Sequence, residues 1–197
     1  AQNPDNVPTS PQIGPPHRSN GSNSRQTTEA AIRPAGGKSR LAGRIDKVLN
    51  SVLAGEPGVT LNVSAGELIA ESVPVAAVLA RALDGPGTSL AAHFRVHQAF
   101  RRGGLDEDLL NSLQSANPVV RASAARLCGA LRLTDSVAWI GDLIPDANPR
   151  VRYAAVRSLA QLGGRRAVET LMRAGEAIPL YRLAIALAQA ASDVDIE

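Results

Sequence analysis

Two histidines, His93 and His97, have the spacing that comes closest to a chemical motif. On a helix, residues four apart point the same way, and two zinc ligands are often supplied like this. A 31-residue repeat, described below, puts His97 where Cys128 stands one unit later, so a third soft ligand could approach. The same register aligns His93 with Ala124 and His97 with Leu159, which are predicted core positions. We therefore interpret both histidines as core or inter-repeat residues, and we predict no metal site and no cofactor.

No other pattern indicates catalysis. The sequence contains no G-x-S-x-G, Walker loop, dinucleotide-binding glycine pattern or HExxH, so we identify no catalytic residue. Its only cysteine, Cys128, excludes an intramolecular disulfide and favours a reducing, cytoplasmic compartment. We predict that Cys128 is a buried, small apolar residue.

The most prominent feature of the sequence is an internal repeat. The segment Asn117–Arg126 is similar to Asn148–Arg157, 31 residues later, and both begin with Asn-Pro. Asparagine accepts a hydrogen bond from free N–H groups at a helix start, and proline suits the first helical position. A period of about 20 to 50 residues is typical of stacked helical repeats.

Each copy predicts a hairpin of two helices. In the first helices, apolar residues recur at steps of three and four, which gives one buried stripe per helix. Second helices are predicted over about 135–144 and 166–174, with Val168, Leu171 and Met172 as the buried stripe of the latter. One hairpin cannot bury its own apolar face, so we expect the hairpins to stack.

The N-P-x-V-R-x-x-A-x-R pattern, with Leu131 or Leu162 closing the first helix, resembles the HEAT repeat family, in particular the short bacterial repeats also found in phycobilin lyases. The resemblance implies an all-α, right-handed α-solenoid whose second helices line a concave binding surface, and it does not imply an enzyme. In such repeats an arginine at the place of Arg121 and Arg152 pairs with a neighbouring acid. The candidates are Asp135, Asp142 and Asp146.

The flanking segments extend the array to about four hairpins. A helix over 41–53 is predicted to cap its start, and the capping box of Ser64 and Glu67 opens a degenerate unit over 64–84. The next unit covers 90–101 and 105–116, with Phe100 and Leu109 in the places of Leu131 and Ile140. A last helix is expected over 179–191.

The first 37 residues differ in composition from the rest. They hold six of the 13 prolines and almost no large apolar side chain, so residues 1–37 are predicted to be a disordered Pro/Asn/Ser-rich basic tail and 38–197 the repeat domain. Residues 1–40 carry five basic and two acidic groups, which equals the net charge of +3 and leaves the remainder neutral. The chain begins at Ala1, which indicates processing or a longer parent protein. No apolar run is long enough to span a membrane.

The predicted binding surface lies on the outward positions of the second helices. Trp139 stands there among polar neighbours, the usual surroundings of an interface anchor. We predict contacts with a protein or peptide partner at six positions and a separate exposed basic edge at three. The contacts are Trp139, Glu107, Asp108, Asp142, Glu169 and Arg173, and the basic edge is Arg150, Arg165 and Arg166.

The favoured function is therefore a non-catalytic scaffold or adaptor. One alternative is a nucleic-acid-binding module that uses the basic tail and the arginine-rich turns. Another is a lyase-type enzyme, which predicts a deep pocket with convergent polar groups around Trp139 or His97. Peripheral contact with a membrane also stays open, although the helix over 41–53 has no aromatic residue on its apolar face.

Overall fold

Helices make up the whole architecture of the described part of this computed structural model. It describes residues 39–85 and 88–192, which belong to one unit, Gly37–Glu197. These residues form ten α-helices and no strand, so the predicted all-α fold is confirmed. The predicted tail, residues 1–37, lies outside the described residues. The helices are α1 Arg40–Ala54, α2 Ala65–Ala70, α3 Ser72–Leu83, α4 Leu90–Arg102, α5 Leu105–Ser112, α6 Pro118–Ala130, α7 Val137–Gly141, α8 Pro149–Leu162, α9 Gly164–Arg173 and α10 Leu180–Ala191.

The predicted helix starts are present in the structure. The Asn117 side chain accepts a hydrogen bond from the Val119 N–H, and Asn148 does the same for the Arg150 N–H, each at 2.9 Å. The capping box at Ser64 is complete, with the Glu67 carboxylate accepting from the Ser64 N–H at 2.8 Å. Local sequence therefore determines where these helices begin.

The two copies of the repeat fold as hairpins that pack together. Helices α6 and α8 make the most extensive contact among the described helices, and α7 also packs against α9. Helix α7 is shorter than the predicted 135–144, because a 3₁₀ turn at Thr134–Ser136 precedes it and turns lead from it to Pro145. A proline disfavours helical geometry in the residue before it, so the helix ends early.

The stacking before residue 117 differs from the predicted register. Helix α3, rather than α4, lies beside α6, and α4 packs mainly on α1 and α5. Buried Ser72 and Ser123 join α3 to α6 through a hydrogen bond of 3.0 Å between their hydroxyls. Small residues at this contact let α3 approach α6 closely. Phe100 is nevertheless buried, as its predicted place required.

Arg121 pairs with an acid in the turn between α7 and α8, as predicted. Its guanidinium makes two hydrogen bonds to the Asp146 carboxylate, at 2.8 and 3.0 Å, and the side chains are only 18% and 9% exposed. Arg152, one repeat later, donates to the carbonyls of Asp146 and Ala147 and has no carboxylate partner among the described residues. The ion pair joins α6 to the turn that leads into the second hairpin, and Arg152 forms no equivalent pair with a described residue.

The core is continuous from α1 to α10. Fully buried side chains such as Ile45, Leu79 and Leu171 come from every part of the described chain. Cys128 is buried as predicted, and burial raises the pKa of its thiol to about 12. One predicted core residue is misplaced, since Met172 is 65% exposed and lies outside the stripe formed by Val168 and Leu171.

Candidate functional site

A groove between the second helices is one of the surface depressions among the described residues. Its volume is about 690 Å³, and its walls come from the 3₁₀ turn before α7, from α7 and from α9. The two walls approach closely at Gly141, where a β-carbon would stand 2.8 Å from Cγ2 of Thr170. Glycine at this position therefore sets the width of the groove.

Charged side chains of both signs surround the groove. Asp142 directly follows α7, and Arg166, Glu169 and Arg173 come from α9; all four are exposed. Arg165 donates a hydrogen bond of 2.8 Å to Glu169. This bond and the charges of Arg165, Arg173 and Arg166 lower the pKa of the Glu169 carboxyl. The site therefore presents fixed charges in close alternation.

The structure brings together some of the predicted contact residues and separates others. Asp142, Glu169 and Arg173 share the groove. Trp139 is 43% exposed on α7 but does not line it. Glu107 and Asp108 are exposed in the first turn of α5, apart from the groove lining.

The predicted basic edge is divided by the length of α8. Arg150 is exposed at the start of that helix, whereas Arg165 and Arg166 follow its end. The 14 residues of α8 correspond to about 21 Å at about 1.5 Å per residue. Arg166 belongs to the groove, Arg165 borders it through Glu169, and Arg150 lies at the other end of the hairpin.

A second cavity, of about 590 Å³, lies beside the two histidines. His93 and His97 both line it and are half-buried, so neither is a core residue, and of the two expected places the one between repeat units agrees with the structure. They turn out of the core because α4 does not stack on α6 as the repeat register required. Burial, together with the nearby His93, lowers the pKa of His97.

A buried carboxylate at this second cavity was not anticipated from the sequence. Asp106 is 9% exposed, and Arg101 donates to its Oδ2 at 3.2 Å while Oδ1 is buried without a hydrogen-bond partner. The remaining lining is mainly apolar and includes Phe94 and Leu131. Asp106 was missed because it stands in a run of acidic residues, Asp106 to Asp108, whose members look alike in sequence.

Neither cavity has the side chains of a metal centre. Within residues 39–85 and 88–192, no three histidine, cysteine or acidic side chains come together in a group that could hold a metal ion.

None of the helices described is both long enough and apolar enough to cross a lipid bilayer.

Stacked two-helix units with a 31-residue period and an open groove between second helices define a helical repeat protein of the α-solenoid class. Residues 107–191 match the family model described as HEAT repeats, so this part of the chain belongs to the HEAT repeat family. The resemblance noted in the sequence is thereby confirmed. HEAT repeats are generally scaffolds for protein interactions. A comparison with curated proteins gives no match.

Proposed function

We propose that the chain is a non-catalytic scaffold that holds a segment of a partner protein in the groove between α7 and α9. The observation that carries this proposal is the groove itself, a depression of about 690 Å³ bordered by exposed charges. Grooves of this kind bind extended or helical peptides through a few anchors and through complementary charges at the rim.

The charges of the groove favour a partner segment that also carries both signs. Arg166 and Arg173 would meet acidic side chains of the partner, and Asp142 would meet a basic one. Trp139, which is exposed on α7, is available to a partner that extends beyond the groove. Glu107 and Asp108 are contacts only for a longer partner that continues toward α5.

The same mixed charge disfavours nucleic acid in this groove. Phosphate backbones are bound by surfaces that are predominantly basic, and their affinity comes mainly from neutralised phosphates. Here Asp135, Asp142 and Glu169 stand beside Arg166 and Arg173. A phosphate backbone would be repelled by the first three.

The lyase-type alternative has one observation in its favour, the cavity beside His97. However, its walls are mainly apolar, and the buried carboxylate of Asp106 already accepts a hydrogen bond from Arg101. His93 Nδ1 lies 3.1 Å from the Ser89 carbonyl oxygen, so that nitrogen is also engaged. Because the walls are mainly apolar and two of the polar groups are already engaged, we favour the scaffold.

The proposal is tested by comparing the proteins that the full chain and its charge-reversal variants capture from a cell extract. Asp142→Arg combined with Arg173→Glu reverses one charge on each wall of the groove and leaves the net charge unchanged. Lys47→Glu combined with Glu56→Arg does the same at exposed residues of α1 and its following turn. We expect at least one partner to be captured by the wild type and the α1 variant but lost with the groove variant.

Direct titration of that purified partner follows, with circular dichroism to confirm that all variants fold. Trp139→Ala should weaken the same complex without lowering the melting temperature, because the side chain is exposed. If every partner is retained by the groove variant, or if both variants lose the same partners equally, the groove is not the binding site.

A further inference from the structure

A second surface, on α8 and α10, combines arginine with exposed aromatic side chains. Tyr153 and Arg157 come from α8, and Tyr181, Arg182 and Ile185 come from α10; these five residues define what we call the basic aromatic face. They line a shallow depression of about 510 Å³ between the two helices. None of them lines the groove between α7 and α9, so the two surfaces are distinct.

Both tyrosines and the isoleucine of this face are exposed to solvent. Tyr153 is 50% exposed, Tyr181 is 63% exposed and Ile185 is 66% exposed. Tyrosine and arginine are among the residue types most enriched at the anchors of protein interfaces. An exposed cluster of this composition is therefore the expected form of a docking surface.

Arg182 is held in place by the two rings. Its guanidinium carbon lies 5.3 Å from the Tyr153 ring centre and 5.5 Å from that of Tyr181, and its Nε donates to the Tyr181 hydroxyl at 2.8 Å. These contacts fix a long side chain that would otherwise have to be ordered on binding. The remaining N–H groups of Arg182 have no partner in the described part of the chain.

The arginines of this surface lack counter-ions. Arg157 makes no ion pair with a described residue, and its neighbour Arg126, which is half-buried, donates only to the Ser72 hydroxyl at 2.9 Å. Burial and the charge of Arg157 both lower the pKa of Arg126, so the two cations repel each other. Elsewhere Arg81, Arg121 and Arg165 each have a carboxylate within 2.8 Å. An external anion would relieve the repulsion between Arg126 and Arg157.

We propose that the basic aromatic face binds an acidic linear segment of a protein. Carboxylates of that segment pair with Arg157 and Arg182, and an apolar side chain between them packs on Ile185 and the tyrosine rings. Charge-assisted hydrogen bonds from arginine to carboxylate are among the strongest polar contacts. A nucleic acid fits less well, because the guanidinium of Arg182 already covers one face of each ring on which a base would stack.

The test uses the full chain and a short fluorescein-labelled peptide of alternating glutamate and leucine, followed by fluorescence anisotropy. Arg157→Glu combined with Arg182→Glu should weaken binding about tenfold or more, since each substitution replaces an attraction for a carboxylate with a repulsion. The matched control is Arg102→Glu with Arg150→Glu, two exposed arginines on other surfaces with the same change in net charge. This control should change the affinity less than about threefold, because attraction by net charge alone is screened by salt.

Two further arms separate this proposal from its competitors. Tyr153→Ala should also weaken binding of the peptide, because it removes one of the two rings that hold Arg182. Asp142→Arg with Arg173→Glu, in the groove, should leave the affinity for the peptide unchanged. A labelled single-stranded oligothymidine replaces the peptide in the last arm. Equal losses in the two double arginine variants, an effect of the groove pair, or tighter binding of the oligonucleotide than of the peptide would each overturn the proposal.

Discussion

At the scale of single residues, an arginine is used twice in the same way. Arg121 donates to the carbonyls of Ser115 and Ala116, and Arg152 donates to those of Asp146 and Ala147, which stand 31 residues further on. The sequence predicted an acidic partner for Arg121 but left three candidates open. Spacing alone could not choose Asp146, because the choice depends on where the turn after α7 brings its carboxylate.

Replacing Arg121 should destabilise the fold more than replacing Arg152. Arg121→Ala leaves the Asp146 carboxylate, which is only 9% exposed, without its counter-ion, and loss of one member of a buried pair costs about 3–5 kcal/mol. Arg152→Ala removes only bonds to carbonyls and should cost about 1–3 kcal/mol. Urea unfolding of both variants measures the difference. An equal loss of stability would mean that the ion pair contributes nothing.

His97 should make stability depend on pH. Burial and the nearby His93 lower the pKa of His97 in the folded protein below its ordinary value of 6.5. Between the pKa of the folded state and that of the unfolded state, the unfolded chain therefore binds a proton that the folded chain does not. The contribution is fully present above about pH 6.5 and is lost as the pH falls. We expect urea midpoints to decrease from pH 7.5 to 5.5 in the wild type.

His97→Gln removes the titrating group and should flatten this decrease, whereas Lys47→Gln, at an exposed cation, should leave it as in the wild type. The measurement is the unfolding midpoint at several pH values for the three proteins. A slope that is the same with and without His97 would assign the pH dependence to other groups.

At the scale of helices, one glycine sets how closely the two repeats approach. A β-carbon on Gly129 of α6 would stand 2.8 Å from the Ser158 Cα and 2.9 Å from its Cβ, on α8. Because the obstruction is partly backbone, α8 itself would have to move. The extensive contact between α6 and α8 therefore depends on the absence of a side chain at this position.

Two glycine-to-alanine variants test this dependence. Gly129→Ala should destabilise the protein by about 1–3 kcal/mol through overpacking, although alanine favours a helix by about 1 kcal/mol over glycine. Gly43→Ala, in α1, has nothing within 4 Å of the new methyl group and should stabilise by up to about 1 kcal/mol. Thermal unfolding of both compares the same chemical change in two surroundings. A stabilised Gly129→Ala variant would show that the helices have room to spare.

Sequence reasoning succeeded for elements where the signal is local. Caps at Asn117, Asn148 and Ser64 placed the helix starts, since a cap depends only on neighbouring residues. It failed where packing decides. The place of α3 beside α6 and the half-buried positions of His93 and His97 follow from contacts between distant segments. Periodicity carries no information on such contacts.

At the scale of the whole molecule, the same division applies to the candidate sites. Repeat register predicted Asp142, Glu169 and Arg173 to face outward, and all three are exposed and line the groove. Their contact with a partner stays a prediction. The basic aromatic face was not predicted, because the α10 half of it follows the last clear repeat and has no register position to compare. Tyr153 stands opposite buried Ala122 in the repeat, a difference that could have served as a signal.

Stability should be uneven along the array, because each hairpin contacts mainly its neighbours. Helix α6 buries eight residues between α3 and α8, whereas α10 buries only Ala186 and Ala190. We expect amides of α10 to exchange with deuterium roughly tenfold faster or more than those of α6. Mass spectrometry of exchanged peptides measures both helices in one sample. Equal protection would show that the described helices unfold as a single cooperative unit.

Arg152, which has no carboxylate partner among the described residues, indicates how further repeats could be added to this protein by design. Asp146 serves Arg121, and the corresponding place for Arg152 is 31 residues later, at Ala177, which carries no charge. A design that adds a hairpin after α9 would therefore need an aspartate at the place of Ala177. Its carboxylate would pair with Arg152 as Asp146 pairs with Arg121. Each hairpin added in this way would be joined to the one before it through a carboxylate at the same place in the repeat.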